Sequence, residues 1–212
     1  MNEKITRHIP EKDIRLLGNI SFEDALKTSA EVSSDYDSSK WLYVPNYYTE
    51  YRYILGKKGT NPLISIGINP STAGPDMLDP TLQSIERIAR NNGYDSFIGF
   101  NVCAQRATNP NDMDWVYNKE LHEENMKAFE YILASTSSPH IWAAWGTIIT
   151  KRKYLADCLL DMVNIGKTYN AIWLCAGKCT KEGHPHHPLY LKKDEQLRPF
   201  DIDNYLKQSL GI

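Results

Sequence analysis

Several absences narrow the reading before any motif is considered. No apolar stretch among the 212 residues approaches the roughly 20 that a membrane-spanning helix needs, so no membrane partner is expected. The opening residues Met1-Asn2-Glu3-Lys4-Ile5 carry charge but no apolar h-region, which predicts no secretory signal. Cysteine is scarce. Cys103, Cys158, Cys175 and Cys179 are scattered along the chain, and with no export signal they fit a reducing cytoplasm better than a disulfide framework. Charge of one sign is also missing: 24 Lys and Arg stand against 26 Asp and Glu, a net −2. That balance is not the mark of a strongly basic nucleic-acid binder, although a small local patch serves an enzyme that handles one nucleotide at a time. No internal repeat or low-complexity block interrupts the chain, and its composition is that of an ordinary globular protein long enough for one good core.

Apolar runs alternating with helical patterns are what the chain does have. Leu63-Ile64-Ser65-Ile66-Gly67 is short, isoleucine-rich and closed by turn residues, so it reads as a buried strand. Phe97 to Ala104, Ile141 to Gly146 and Ala171 to Gly177 read the same way. Between them, helices are predicted from Thr81 to about Asn92, over 113–135 with a break near Asn118, and from Thr147 to Val163. A last short helix runs from Ile202 to Leu210. The expected fold is α/β: a three-layer α-β-α arrangement around a central, mostly parallel four-stranded sheet, with an edge strand at Tyr51–Leu55. Residues 1–50, polar and then aromatic, form an N-terminal extension or cover segment, and 51–212 form the α/β domain. Deletion of residues 1–40 is expected to leave a foldable core.

In such a fold the C-terminal ends of the strands share one rim, where ligand-handling groups collect. Three rim segments are chemically loaded: Gly67-Ile68-Asn69-Pro70-Ser71, Phe100-Asn101 running through Arg106-Ala107-Thr108, and Gly183-His184-Pro185-His186-His187-Pro188-Leu189-Tyr190. The Asn69 amide can orient water or a polar ligand with donor and acceptor atoms, and Pro70 fixes the backbone behind it; Asn-Pro is equally an ordinary turn starter. Cys175 and Cys179 with His184, His186 and His187 supply soft ligands, but their spacing fits no common zinc pattern, and the four cysteines fit no iron–sulfur pattern. Neither metal nor cofactor is expected. Ser71 or Cys103 lacks the elbow or paired base of a nucleophile.

In this order the three segments resemble the uracil-DNA glycosylase superfamily, in particular the branch of mismatch-specific uracil- and thymine-DNA glycosylases. At a finer level Tyr51-Arg52-Tyr53, Asn69-Pro70-Ser71-Thr72-Ala73, Asp79-Pro80-Thr81, Arg106-Ala107-Thr108, Trp145-Gly146 and His187-Pro188-Leu189-Tyr190 are similar to a bacterial and phage family of unknown function, number 1643, over roughly residues 50–200. The glycosylase resemblance implies hydrolysis of the N-glycosidic bond of a flipped uracil, mismatched or modified pyrimidine in duplex or single-stranded DNA, by a monomer without cofactor.

On that resemblance Asn69 positions water, and Asn101 reads the base edge beside Ile68. His187, with His184 as the alternative, donates to the base as charge develops. An amide is too weak a base to take a proton, so Asp79 is the candidate second carboxylate, an Asp-Pro turn being the plain alternative. Phe100 or Trp145 supplies a stacking face or simply core packing. Leu189 and Tyr190 sit where related enzymes push a wedge into the stack; Ser71, Arg106, Lys192 and Lys193 are the candidate backbone contacts. Two other readings stay open: a non-catalytic nucleotide or nucleic-acid binder, and a small-molecule nucleoside or nucleotide hydrolase.

Overall fold

The computed structural model describes residues 21–212; residues 1–20 of the extension lie outside them. Helix α1 (Phe22–Ser29) leads into β1 (Trp41–Val44), β2 (Ile54–Lys57) and β3 (Pro62–Gly67), then α2 (Pro80–Asn91) and β4 (Ser96–Asn101). The chain continues through α3 (Lys119–Ala134), β5 (His140–Ala143), α4 (Tyr154–Thr168), β6 (Ile172–Ala176), β7 (Leu197–Pro199) and α5 (Ile202–Tyr205), which passes into a π-helical turn.

Among the described residues seven strands form one sheet in the order β1-β2-β4-β3-β5-β6-β7. The four expected strands are its parallel centre, β4-β3-β5-β6. The count of four is corrected to seven, because antiparallel strands extend both edges. Strand β2 begins at Ile54 rather than Tyr51 and is no edge: β1 pairs outside it, Trp41 opposite Lys57. Tyr51 makes only an isolated bridge to Gln105. Strand β7, three residues ending in Pro199, lies at the other edge, where a missing N–H does no harm.

Side chains alternate across a strand, and here both faces are apolar. Leu63, Phe97 and Trp142 pack with Leu82, Ile85, Ile88 and Ala89 of α2. Ile64, Ile66, Ile98, Phe100, Ile141 and Ala143 face the other way, toward α1, α3, α4 and α5. That two-sided burial is why the strands read as continuous hydrophobic runs. Each fully buried aliphatic side chain contributes about 1.5–3 kcal/mol, so the two clusters dominate the stability.

Helix starts follow local capping rather than the predicted bounds. Asp79, not Thr81, caps α2: its Oδ1 accepts from the Leu82 N–H at 2.8 Å, with Pro80 in the first turn. Asn118 caps α3 in the same way, at 3.0 Å from Leu121 N, so 113–117 stay outside the helix. The third helix is split: Gly146–Thr150 form a 3₁₀ turn, and α4 starts at Tyr154 and runs to Thr168. Among the described residues no helix is long and apolar enough to cross a membrane.

Candidate functional site

Strand β3 leads to α2 on one face, while its neighbours β4 and β5 lead to α3 and α4 on the other. The chain therefore opens a crevice at the C-terminal end of β3. A cavity of about 570 Å³ occupies it, a size suited to a small-molecule ligand. Its wall takes Gly67–Ser71 after β3, Gly99–Asn101 from β4, Ala144–Ile148 after β5, Asp79–Leu82 at the start of α2, and Pro185–Tyr190 from the late loop.

The parallel register sets Asn101 directly opposite Gly67. A Cβ on residue 67 would sit 3.0 Å from Asn101 Oδ1, so the glycine leaves room for the amide to lie across the strand end. Asn101 is 7% exposed. Its main-chain carbonyl accepts from Asn125 Nδ2 at 3.0 Å, while its side-chain amide makes no hydrogen bond among the described residues. A buried amide in a cavity wall with no protein partner keeps both its donor and its acceptor capacity.

Asn69 is held differently. Its Nδ2 donates to the Ala107 carbonyl at 2.7 Å and to the Pro70 carbonyl at 3.1 Å. Both hydrogens are spent on main chain, and what remains for the cavity is the acceptor Oδ1. An acceptor there can take a hydrogen from water and aim the water's lone pair.

His187 begins a short turn, and its Nδ1 accepts from the Leu189 N–H at 3.4 Å. A neutral ring that accepts at Nδ1 carries its proton on Nε2. Burial pushes the imidazole below its ordinary value of 6.5, and the Asp79 carboxylate opposes that shift, so neutrality follows from the surroundings. His184 is turned away from the cavity. Its Nδ1 lies 2.9 Å from the Tyr205 hydroxyl, which accepts from Trp145 Nε1 at 3.0 Å. Burial lowers His184 as well. Of the two histidines, His187 is the one in the cavity wall.

The structure thus brings Asn69, Asn101, His187 and Asp79 into one cavity, with Ile68, Ser71, Leu189 and Tyr190 around it. Leu189 and Tyr190 are exposed, and the Tyr190 ring tilts against His187 with centroids 5.9 Å apart. Phe100 and Trp145 contribute to the wall, but their rings are engaged in the core. Phe100 packs on Phe129 at 5.2 Å, and Trp145 meets Trp173, Phe200 and Tyr205.

The candidate backbone contacts divide. Lys192 and Lys193 are exposed and stand outside the cavity wall. Arg106, 1% exposed, is turned inward. It donates to the carbonyls of Ser71 and Ala73 and to the Tyr43 hydroxyl, and stacks 4.4 Å over the Tyr48 ring. Arg106 braces the loop after Asn69; it offers nothing to an outer phosphate. Among the described residues no cluster of three or more His, Cys, Asp or Glu is placed to hold a metal ion.

Arg52 belongs to the Tyr51-Arg52-Tyr53 motif, which by itself points to no role for it. It is 3% exposed and lines the cavity, with Nη1 on the Ala73 carbonyl at 2.9 Å. The one signal available was a lone arginine in an aromatic, otherwise buried run, Tyr51-Arg52-Tyr53-Ile54.

A family model described as "Protein of unknown function (DUF1643)" matches residues 52–189, well over half of the chain. No curated protein and no solved structure matches it.

Proposed function

We propose that this chain, which belongs to the DUF1643 family, is an N-glycosidic hydrolase that takes one extruded pyrimidine nucleotide into the rim cavity. The observation that carries the reading is convergence: two carboxamides and an imidazole, from segments far apart in the chain, line one cavity, each in a different hydrogen-bonding state. Asn101 offers a donor and an acceptor to the base edge. Asn69 Oδ1 accepts a hydrogen from the attacking water. His187 Nε2–H donates to the base oxygen on which negative charge develops as the bond breaks, an electrostatic task that suits a neutral donor fixed in place. Asp79, within electrostatic reach of His187, is the base that receives the water's proton, since no amide can.

DNA strands carrying uracil, mismatched thymine and chemically modified pyrimidines, heated in alkali after incubation, test this reading. Scission at the altered base is expected for at least one of them. Intact strands across the whole panel overturn the activity on DNA.

One observation favours a smaller substrate. Arg106 is turned inward, and the net charge of −2 gives the chain no overall excess of positive charge to draw in a strand. A nucleoside or nucleotide hydrolase, or a binder of free nucleotides, needs only the cavity. Chromatography of nucleosides and nucleotides incubated with the protein separates these: free base marks the hydrolase, and binding without release marks the binder.

A further inference from the structure

Two guanidinium groups lie buried side by side beneath the loop after Asn69. Arg52 and Arg106 both donate to the Ala73 carbonyl, and the repulsion between them adds to burial in lowering the Arg52 pKa. Among the described residues neither makes an ion pair with a carboxylate; their partners are carbonyl oxygens and a phenol. Both Nε atoms are buried without an acceptor. Buried cations are costly unless matched by an anion. Asp79 is a carboxylate whose charge acts on Arg52, but it is one carboxylate against two cations, and its Oδ1 already accepts from the start of α2.

The same wall carries two unused hydroxyls. Ser71 lies two residues before the carbonyl that Arg52 holds, and Thr81 lies two residues after Asp79 in the first turn of α2. Both line the cavity, and neither side chain makes a hydrogen bond among the described residues. The positive end of the twelve-residue α2 opens toward the same place.

We propose that Arg52, with the hydroxyls of Ser71 and Thr81, forms a phosphate subsite in the cavity wall, so that the ligand is a phosphorylated nucleotide unit rather than a base or nucleoside alone. The proposal rests on the base-reading role of Asn101 for the rest of the ligand, but the phosphate subsite is separable from it. The chemistry is a phosphate ester carried either by a free nucleotide or by a flipped unit within a strand.

Calorimetric titration of the full chain with a pyrimidine nucleoside, its 5′-monophosphate, a trinucleotide of the same base and inorganic phosphate tests it. The monophosphate is expected to bind about tenfold or more tightly than the nucleoside, which corresponds to about 1.4 kcal/mol. Arg52→Gln should abolish that ratio while leaving nucleoside affinity unchanged; Asn101→Ala should weaken nucleoside and monophosphate by the same factor. Should Arg52→Gln fail to fold, Thr81→Val and Ser71→Ala carry the test, each reducing the ratio.

Tighter binding of the monophosphate than of the trinucleotide assigns a free nucleotide, and the reverse order assigns a strand; both support the subsite. Inorganic phosphate that raises the melting temperature of wild type but not of Arg52→Gln, with no nucleoside binding, supports the subsite and overturns the base reading. Equal affinity for nucleoside and monophosphate, or a ratio that survives every one of these substitutions, overturns the proposal.

Discussion

At the scale of single residues, Asn69 shows why amide and carboxylate are not interchangeable here. A carboxylate is a stronger base than an amide, which invites Asn69→Asp. In this protein that change sets a carboxylate oxygen against the carbonyls of Ala107 and Pro70, which the amide now satisfies as a donor. The expected outcome is a loss of about 1–3 kcal/mol in stability, read by thermal denaturation, with no gain in rate. His187 gives a second test. Its folded pKa lies below 6.5 because burial disfavours the charged ring, so the unfolded chain binds the extra proton. The stability it contributes is complete above pH 6.5 and is lost as pH falls from there through the folded value. His184 acts with the same sign. Melting temperatures followed from about pH 8 to about pH 5 should fall less in His187→Gln than in wild type. Replacing His187 by Ala should lower base release by about 10²-fold or more, as for loss of one donor to a developing anion.

At the scale of elements, the start of α2 joins stability and chemistry in one side chain. Asp79→Asn keeps a good cap and removes the charge, whereas Asp79→Ala removes both. Denaturation should place Asp79→Asn within about 0.5 kcal/mol of wild type and Asp79→Ala about 1 kcal/mol below it. Both should lose base release if Asp79 receives the proton. The four central strands were legible because burial on both faces leaves an unbroken apolar run, as in Leu63–Ile66. The flanking strands were not. Trp41–Val44 follows a Ser- and Asp-rich loop and is only four residues long, and Leu197–Pro199 is three residues with a proline. In the site, Asn69, Asn101 and His187 could be found because each stands at a strand end or in a late loop with turn residues beside it. The inward turn of Arg106 could not: its partners, the Ser71 and Ala73 carbonyls and the Tyr43 hydroxyl, come from remote segments that no local pattern connects. Phe100 and Trp145 were ambiguous for a related reason, since the rings they pack on, Phe129 for one and Trp173, Phe200 and Tyr205 for the other, come from remote segments.

At the scale of the whole molecule, α1 bears on stability more than on the sheet. Deleting residues 1–40 keeps every described strand but removes Phe22, which meets Tyr53 at 5.9 Å and Tyr131 at 5.6 Å and whose N–H bonds Glu124 at 2.6 Å. The truncated chain is expected to unfold cooperatively at a lower temperature, losing on the order of 3 kcal/mol for the aromatic side chain; aggregation in place of a cooperative transition overturns this. The order β4-β3-β5 has a consequence of its own for biogenesis. On a ribosome, β3 can find β4 once residue 101 has emerged, yet its opposite flank must wait for residues 140–143. For about 40 codons' worth of translation an isoleucine-rich edge stands unpaired, the circumstance in which nascent chains stick to one another or recruit a chaperone.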